Sequence, residues 1–188
     1  MLHTIITVDE LLAKANIIEV LNRYAQAIDR KRWEVARAAF HDDALADYGA
    51  YRGNIDGLFG YIQGRHDAIE QSMHFMGQTV VDLHGDVANA VSPAIVYQRR
   101  RADAAGSVAM FADVDAGGTE RATVQIGCRY LDRLENRGDG WKIASRTIVH
   151  EWMRTVVVDE TSTLGADWAL ASRESDDPLF GMLAQAAR

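Results

Sequence analysis

The 188 residues carry 48% hydrophobic side chains and only 2 prolines, which fits one globular domain with a single core and excludes a disordered chain. A net charge of -7, from 27 acidic against 20 basic residues, repels polyanions and argues against nucleic acid as a partner. Cys128 stands alone, so no internal disulfide is available; no run reaches the ~18 apolar residues of a membrane span, and Met1 to Glu10 lacks a cationic stretch leading into an apolar one, so a cytoplasmic protein without membrane contact is expected.

Thr7 to Glu10 spells a capping box, in which hydroxyl and carboxylate satisfy free amides at a helix start. The helix it opens carries an apolar stripe through Leu12, Ala15, Ile18, Leu21, Ala25 and Ile28, with Tyr24 and Asp29 near its C-terminal end. A second short helix is expected from Trp33 to Phe40, broken at His41-Asp42-Asp43, before a short strand around Leu45 to Tyr48. Asn54 can cap a further helix through Leu58, Phe59 and Ile62, and Arg65 to Gln71 reads as another helical piece ahead of His74.

The period then changes. Val80, Val81, Leu83, Val87, Val91, Ile95 and Val96 are β-branched or apolar around the turn sequence His84-Gly85-Asp86, which predicts a hairpin. The basic run Arg99 to Arg101 is expected to be a solvated strand end. Residues 102 to 118, rich in Ala, Gly and Asp, are expected to form a long loop. A second hairpin follows over 119 to 136 and 141 to 155, turned by Arg137-Gly138-Asp139-Gly140. Residues 1–155 form the domain, and the tail over 156–188 has helical spacing at Trp168, Leu170 and Ala171 and again at Phe180, Leu183 and Ala187, suited to covering a pocket mouth or a neighbouring subunit. Helices first and antiparallel strands afterwards make an α+β domain, helices packed on one face of a curved sheet around a pocket.

Four pieces, in order, carry a resemblance: Ala27-Ile28-Asp29 with Trp33 and Phe40; Asp47 to Gly53; Ser72-Met73-His74 with Gly77; and Gly127 to Asp132 running into Gly140-Trp141-Lys142-Ile143 and Arg146. Together they resemble the SnoaL-like branch of the nuclear transport factor two superfamily. The resemblance implies a cone-shaped antiparallel sheet wrapped by N-terminal helices around an apolar cavity. The branch includes scytalone dehydratase, hexachlorocyclohexane dehydrochlorinase, bile-acid 7α-dehydratase, polyketide cyclases and formaldehyde-releasing lyases, which use neither cofactor nor metal. It implies that His74, at a strand start, pairs with Asp29, at the end of the first helix, and that Tyr24 stands where the bile-acid enzyme has a tyrosine.

Histidine suits this chemistry because its pKa lies near working pH, and a carboxylate on its other ring nitrogen fixes the tautomer and supports the imidazolium. By residue pattern alone, His74 between Met73 and Phe75 reads as a core histidine and Asp29 as a helix cap; the resemblance turns the reading to catalysis, with the dyad expected at the floor of the largest cavity. Tyr24 can donate to a departing hydroxyl or serve as core with a wet tip. Arg129 alternates with Cys128 and Tyr130, so it either faces the cavity to hold an anionic or phenolic group or forms a sheet-face ion pair with Asp132 or Asp47; Arg146 invites the same two readings. His150, Tyr48 and Tyr97 complete the candidate substrate-binding set.

No phosphate loop, zinc spacing or serine elbow is present, so no cofactor and no metal are expected. The reading is a lyase for a hydroxylated aromatic or polycyclic small molecule, with an isomerase or cyclase as one alternative and a non-catalytic binding or oxygenase-subunit-like assembly module as another. A convex sheet face rich in Val and Ile calls for a covering partner, so a homodimer or homotrimer is expected.

Overall fold

The computed structural model describes residues 7–101, 122–157, 165 and 167–186, so the loop expected over 102 to 118 lies outside the described residues. Helix α1 (Val8–Asp29) opens on its capping box: Thr7 Oγ1 accepts from the Glu10 amide at 3.1 Å, and the Glu10 carboxylate accepts from the Thr7 amide at 3.2 Å. Its buried stripe runs through Ile17, Leu21, Tyr24 and Ile28. This differs from the expected line, since Leu11 and Leu12 are exposed and burial begins only at Ile17. The same stripe turns Tyr24 and Asp29 toward the sheet.

Helix α2 (Trp33–Ala38) stops two residues before its expected end, because the chain is claimed there by a distant strand. Phe40 opens β1 (Phe40–Asp47), and the Ala39 carbonyl accepts from the Ile143 amide at 2.8 Å. His41-Asp42-Asp43, expected to break the pattern, lies within β1. His41 turns inward and its Nε2 meets the Glu135 carbonyl at 3.0 Å, while Asp42 and Asp43 face solvent and pair with Arg37 and Arg137. The Phe40 ring wedges edge-on against Tyr24 and Phe59, with centroids 5.5 Å and 6.2 Å apart. Full burial of such a side chain is worth about 1.5–3 kcal/mol.

Strand β2 (Arg52–Asn54) leads into α3 (Ile55–His66), capped by the Asn54 side chain accepting from the Gly57 amide at 2.9 Å. The helical piece expected over Arg65 to Gln71 is not formed. α3 ends at His66, and Ile69–Met76 is strand β3, paired antiparallel with β5 (Val87–Arg100) so that Ile69 faces Arg100 and His74 faces Val96. Local spacing gave no sign of this partner, whose register decides the strand.

Strand β4 (Val80–His84) forms the first expected hairpin with β5, and β6 (Ala122–Asn136) forms the second with β7 (Trp141–Val157). The curved, unclosed sheet runs β2-β1-β7-β6-β5-β3 with β4 also on β5; β1 and β7 are parallel and the other pairs antiparallel. β5 exchanges partner from β4 to β3 around Ser92-Pro93, where the Gly77 amide donates to the Pro93 carbonyl at 2.7 Å. A Cβ on Gly77 would sit 3.0 Å from the Pro93 ring, so the bend favours glycine there. Helices α1 and α3 cover the concave face, and the core lies between them and the sheet.

After β7, the described tail ends in helix α4 (Pro178–Ala186); the stretch through Trp168, Leu170 and Ala171, expected to be helical, forms turns and bends. It docks at the C-terminal end of α1. Arg30 pairs with Asp177 at 3.0 Å and Lys31 with Glu174 at 2.6 Å. Among the described residues no helix is long and apolar enough to cross a membrane.

Candidate active site

The last turn of α1 and the middle of β3 meet at a carboxylate. Asp29 sits where the helix dipole disfavours negative charge, and it is buried, so its ionised form needs donors. It has three. The His74 amide, the Ser72 hydroxyl and His74 Nδ1 each lie 2.7 Å from its oxygens. Burial would raise the Asp29 pKa, but the charge of His74 and these bonds outweigh it and hold the carboxyl below its ordinary range. With Nδ1 donating to Asp29, Nε2 is the nitrogen of His74 left to take a proton.

His74 lines an internal space of about 70 Å³. Across it, Tyr24 from α1 and Tyr48, just past β1, join hydroxyl to hydroxyl at 2.8 Å. Burial raises both phenol pKa values against the pull of the Arg146 charge, so both hydroxyls keep their protons at neutral pH. One proton bridges the pair and the other is available to a further acceptor.

Behind them lies Arg146, buried, its guanidinium 4.3 Å from the Tyr24 ring centroid and 4.5 Å from that of Tyr130. Asp132 holds it bidentately at 2.6 Å and 2.9 Å. Of its two readings, the structure thus forms the ion pair, and the arginine braces the tyrosines from beneath.

The remaining residues divide by strand register. Cys128 and Tyr130 line the cavity, and His150, opposite Cys128, lines its mouth while staying exposed. The register shifts between Gly127 and Cys128, so that Trp152, not Glu151, stands opposite Gly127. Arg129 is on the other face, exposed and bonded to Glu151 at 2.5 Å, and Tyr97 alternates out of the cavity between its lining neighbours Val96 and Gln98. Neither borders the cavity, and the strand alternation that places Cys128, Tyr130, Val96 and Gln98 inside is the reason. The dyad was expected at the floor of the largest cavity, yet larger concavities exist. One of 620 Å³ lies by Lys31, Glu70 and Arg99, and one of 410 Å³ borders the outer side of the dyad at Asn22, Gln26 and Phe75.

His66, at the end of α3, also lines the cavity and was not singled out from the sequence. A histidine in the last turn of a helix reads as a dipole partner, and its tertiary partner is 107 residues away: Arg173 Nη2 lies 2.6 Å from its Nδ1. Burial, followed by the Arg173 charge, pushes the His66 pKa well below the usual 6.5. Unfolded, the ring titrates near pH 6.5, so below that pH the unfolded chain holds the extra proton. The stability contributed is full above that value and falls as pH drops, by up to about 1.4 kcal/mol per pH unit until the folded ring also protonates. Melting of the parent and of His66→Gln between about pH 7 and 5 checks this. The variant lacks that component of the slope; equal slopes refute it.

Among the described residues no group of three or more His, Cys, Asp or Glu side chains is placed to hold a metal ion. A family model described as the SnoaL-like domain matches residues 9–147. The "Uncharacterized protein Rv2910c" of Mycobacterium tuberculosis is 25% identical over 148 residues, covering 77% of this chain and 89% of that protein. Among solved structures, the hexachlorocyclohexane dehydrochlorinase LinA-type3 of Novosphingobium barchaimii superposes with a TM-score of 0.64 at 12% identity, covering 84% of this chain and 98% of its own. The Kfla4162 protein of Kribbella flavida gives 0.63 at 18% identity, covering 78% and 95%. At these identities the solved structures bear on the fold alone.

Proposed function

The chain belongs to the SnoaL-like domain family, and from that premise we propose that it is a cofactor-independent lyase, eliminating water or releasing a small carbonyl fragment from a hydroxylated aromatic or polycyclic molecule. The observation that carries the reading is the 2.7 Å contact between Asp29 Oδ1 and His74 Nδ1, with His74 on the cavity wall. In this reading His74 Nε2 removes a proton from carbon, Asp29 supports the imidazolium, and the Tyr24-Tyr48 pair offers a hydrogen bond to the leaving oxygen. The fold is shared with a dehydrochlorinase, whose name denotes an elimination. The space of about 70 Å³ is small for a polycycle, so binding requires the lining side chains to part. The same base serves an isomerase or cyclase, which differs only in where the proton returns.

The test is turnover of a panel of β-hydroxy ketones fused to an aromatic ring, followed by absorbance of the conjugated product, in the parent and in variants of the dyad. Panel members that bind to the parent without turnover, or turnover indifferent to both dyad substitutions, overturn the reading.

A second observation bears on assembly. Met73 and Phe75 on β3, Ile95 on β5 and Trp152 on β7 are each 47% exposed or more. On β6, between β5 and β7, Gly127 stands in register with Ile95 and Trp152, and a Cβ there would lie 2.3 Å from the Trp152 indole, so the ring lies across that strand. We infer that a second copy covers this face, giving a homodimer or homotrimer. Light scattering should give a multiple of 20.8 kDa, and Phe75→Lys should shift it toward one copy. A monomeric parent that assembles only with a larger partner would instead favour the non-catalytic module.

A further inference from the structure

We propose that His66 is a second substrate-contacting imidazole of this cavity, a neutral donor whose Nε2–H binds a carbonyl oxygen next to the carbon that gives its proton to His74. The inference rests on the lyase reading and narrows its substrate class to enolisable ketones with a leaving group on the β carbon.

The tautomer follows from the partner. A guanidinium carries only N–H donors, so the His66 Nδ1 that meets Arg173 Nη2 at 2.6 Å is the bare nitrogen, and the neutral ring carries its proton on Nε2. Arg173 is fixed in that role. It is buried, and it also donates to the carbonyls of Asp29 at 2.8 Å, Ile28 at 3.0 Å and Ile69 at 2.9 Å. Its pKa, lowered to about 10 by burial, still leaves it protonated at neutral pH.

On the other side of the ring, His66 and Gln98 both line the cavity. The Gln98 amide oxygen accepts from Arg65 Nη2 at 3.5 Å, so the group 3.5 Å from His66 Nε2 is the Gln98 amide nitrogen, a donor at a distance too long to compete with the 2.6 Å Arg173 contact in setting the tautomer. Gln98 therefore does not accept the Nε2 proton. The low pKa of His66 keeps the ring from becoming an imidazolium near neutral pH. A neutral imidazole donor polarises a carbonyl without giving up its proton.

His74 Nε2 takes the α proton, and the C–H electron pair delocalises onto the carbonyl oxygen, where charge develops against the His66 Nε2–H. As the carbonyl re-forms, that pair becomes the new C=C bond and the Cβ–O bond breaks. The departing hydroxide takes the proton from the His74 imidazolium and leaves as water, and His66 keeps its own proton throughout. Arg173, in the C-terminal tail, is a positioning residue that acts through the tautomer of His66.

The experiment uses the full chain and 2-tetralone, a bicyclic ketone with acidic α hydrogens and no leaving group. Long-range proton-nitrogen NMR of the parent should show a bare His66 Nδ1, and Arg173→Leu should let that ring titrate. The carbonyl stretch of bound 2-tetralone should be lowered in the parent and in His74→Gln but not in His66→Phe. Exchange of the α hydrogens in D2O should slow on the order of a hundredfold in His66→Phe. If that variant does not fold, the tautomer of the parent and its response to Arg173→Leu decide. A proton on Nδ1 of the parent, or an unchanged carbonyl stretch with parental exchange in His66→Phe, overturns this inference and leaves the His74 base standing. Exchange indifferent to His74→Gln overturns the lyase reading, while the carbonyl stretch still reports on His66.

Discussion

His74→Gln should lower kcat by about a hundred- to ten-thousand-fold while substrate binding and melting temperature change little. Glutamine keeps much of the size of the ring and can still hydrogen-bond Asp29, but it cannot accept and hold a proton near neutral pH. The expectation follows from the 2.7 Å contact of Nδ1 with Asp29, which commits one ring nitrogen to the carboxylate and leaves Nε2 for the reaction. Asp29→Asn should lose activity similarly, because it keeps the shape and removes the charge that supports the imidazolium. Its stability readout is pH-dependent. The folded pKa of Asp29 is below that of the unfolded chain, so its contribution is present above the ordinary carboxylate range and is lost as pH falls through the folded value. Asparagine lacks that dependence. Steady-state kinetics with the ketone panel, alongside melting curves, decide the matter; folded variants that bind and turn over like the parent rule out the dyad as the catalytic pair.

The largest stability effect is expected at Arg146 and Asp132. Both are buried, and their bidentate pair is the main compensation for two desolvated charges. Removing one partner, as in Asp132→Leu, strands the other charge and should cost about 3–5 kcal/mol, or roughly 6 to 20 °C in melting temperature for a domain of this size. Replacing both, Arg146→Met with Asp132→Leu, should restore most of that loss, since two apolar side chains carry no desolvation penalty. The double variant still lacks the guanidinium under the Tyr24 and Tyr130 rings, so its activity should stay low where its stability recovers. Denaturant titration of the single and double variants gives the coupling directly. A single variant as stable as the parent would show that water or relaxation satisfies the remaining charge.

Part of this molecule was legible in the chain itself. The Thr7 to Glu10 cap, the Asn54 cap and the glycine-containing turns at Gly85 and Gly138 are local, since their donors and acceptors lie within a few residues, and each helix start or hairpin appears where its signal stands. The SnoaL-like pattern was legible as well, and with it Asp29 and His74 as the pair to examine. What local spacing cannot carry is the partner. The Arg65 to Gln71 stretch ends as the start of β3, and Phe40 leaves its helix for β1, because β5 and β7 offer backbone partners from far along the chain. Alternation gave Arg129 two faces to choose from, and only the closure of β6 on β5 and β7 put Cys128 and Tyr130 inside and Arg129 out. His66 acquires a fixed tautomer from an arginine 107 residues away. The sequence by itself therefore determined the helix caps and hairpin turns, which rest on short-range spacing, while the resemblance of its four ordered pieces to the SnoaL-like family supplied Asp29 and His74 as the pair. Which face each side chain presents, and which charge holds which proton, were decided by long-range register and burial, which exist only once the strands have paired and the helices have packed on the sheet.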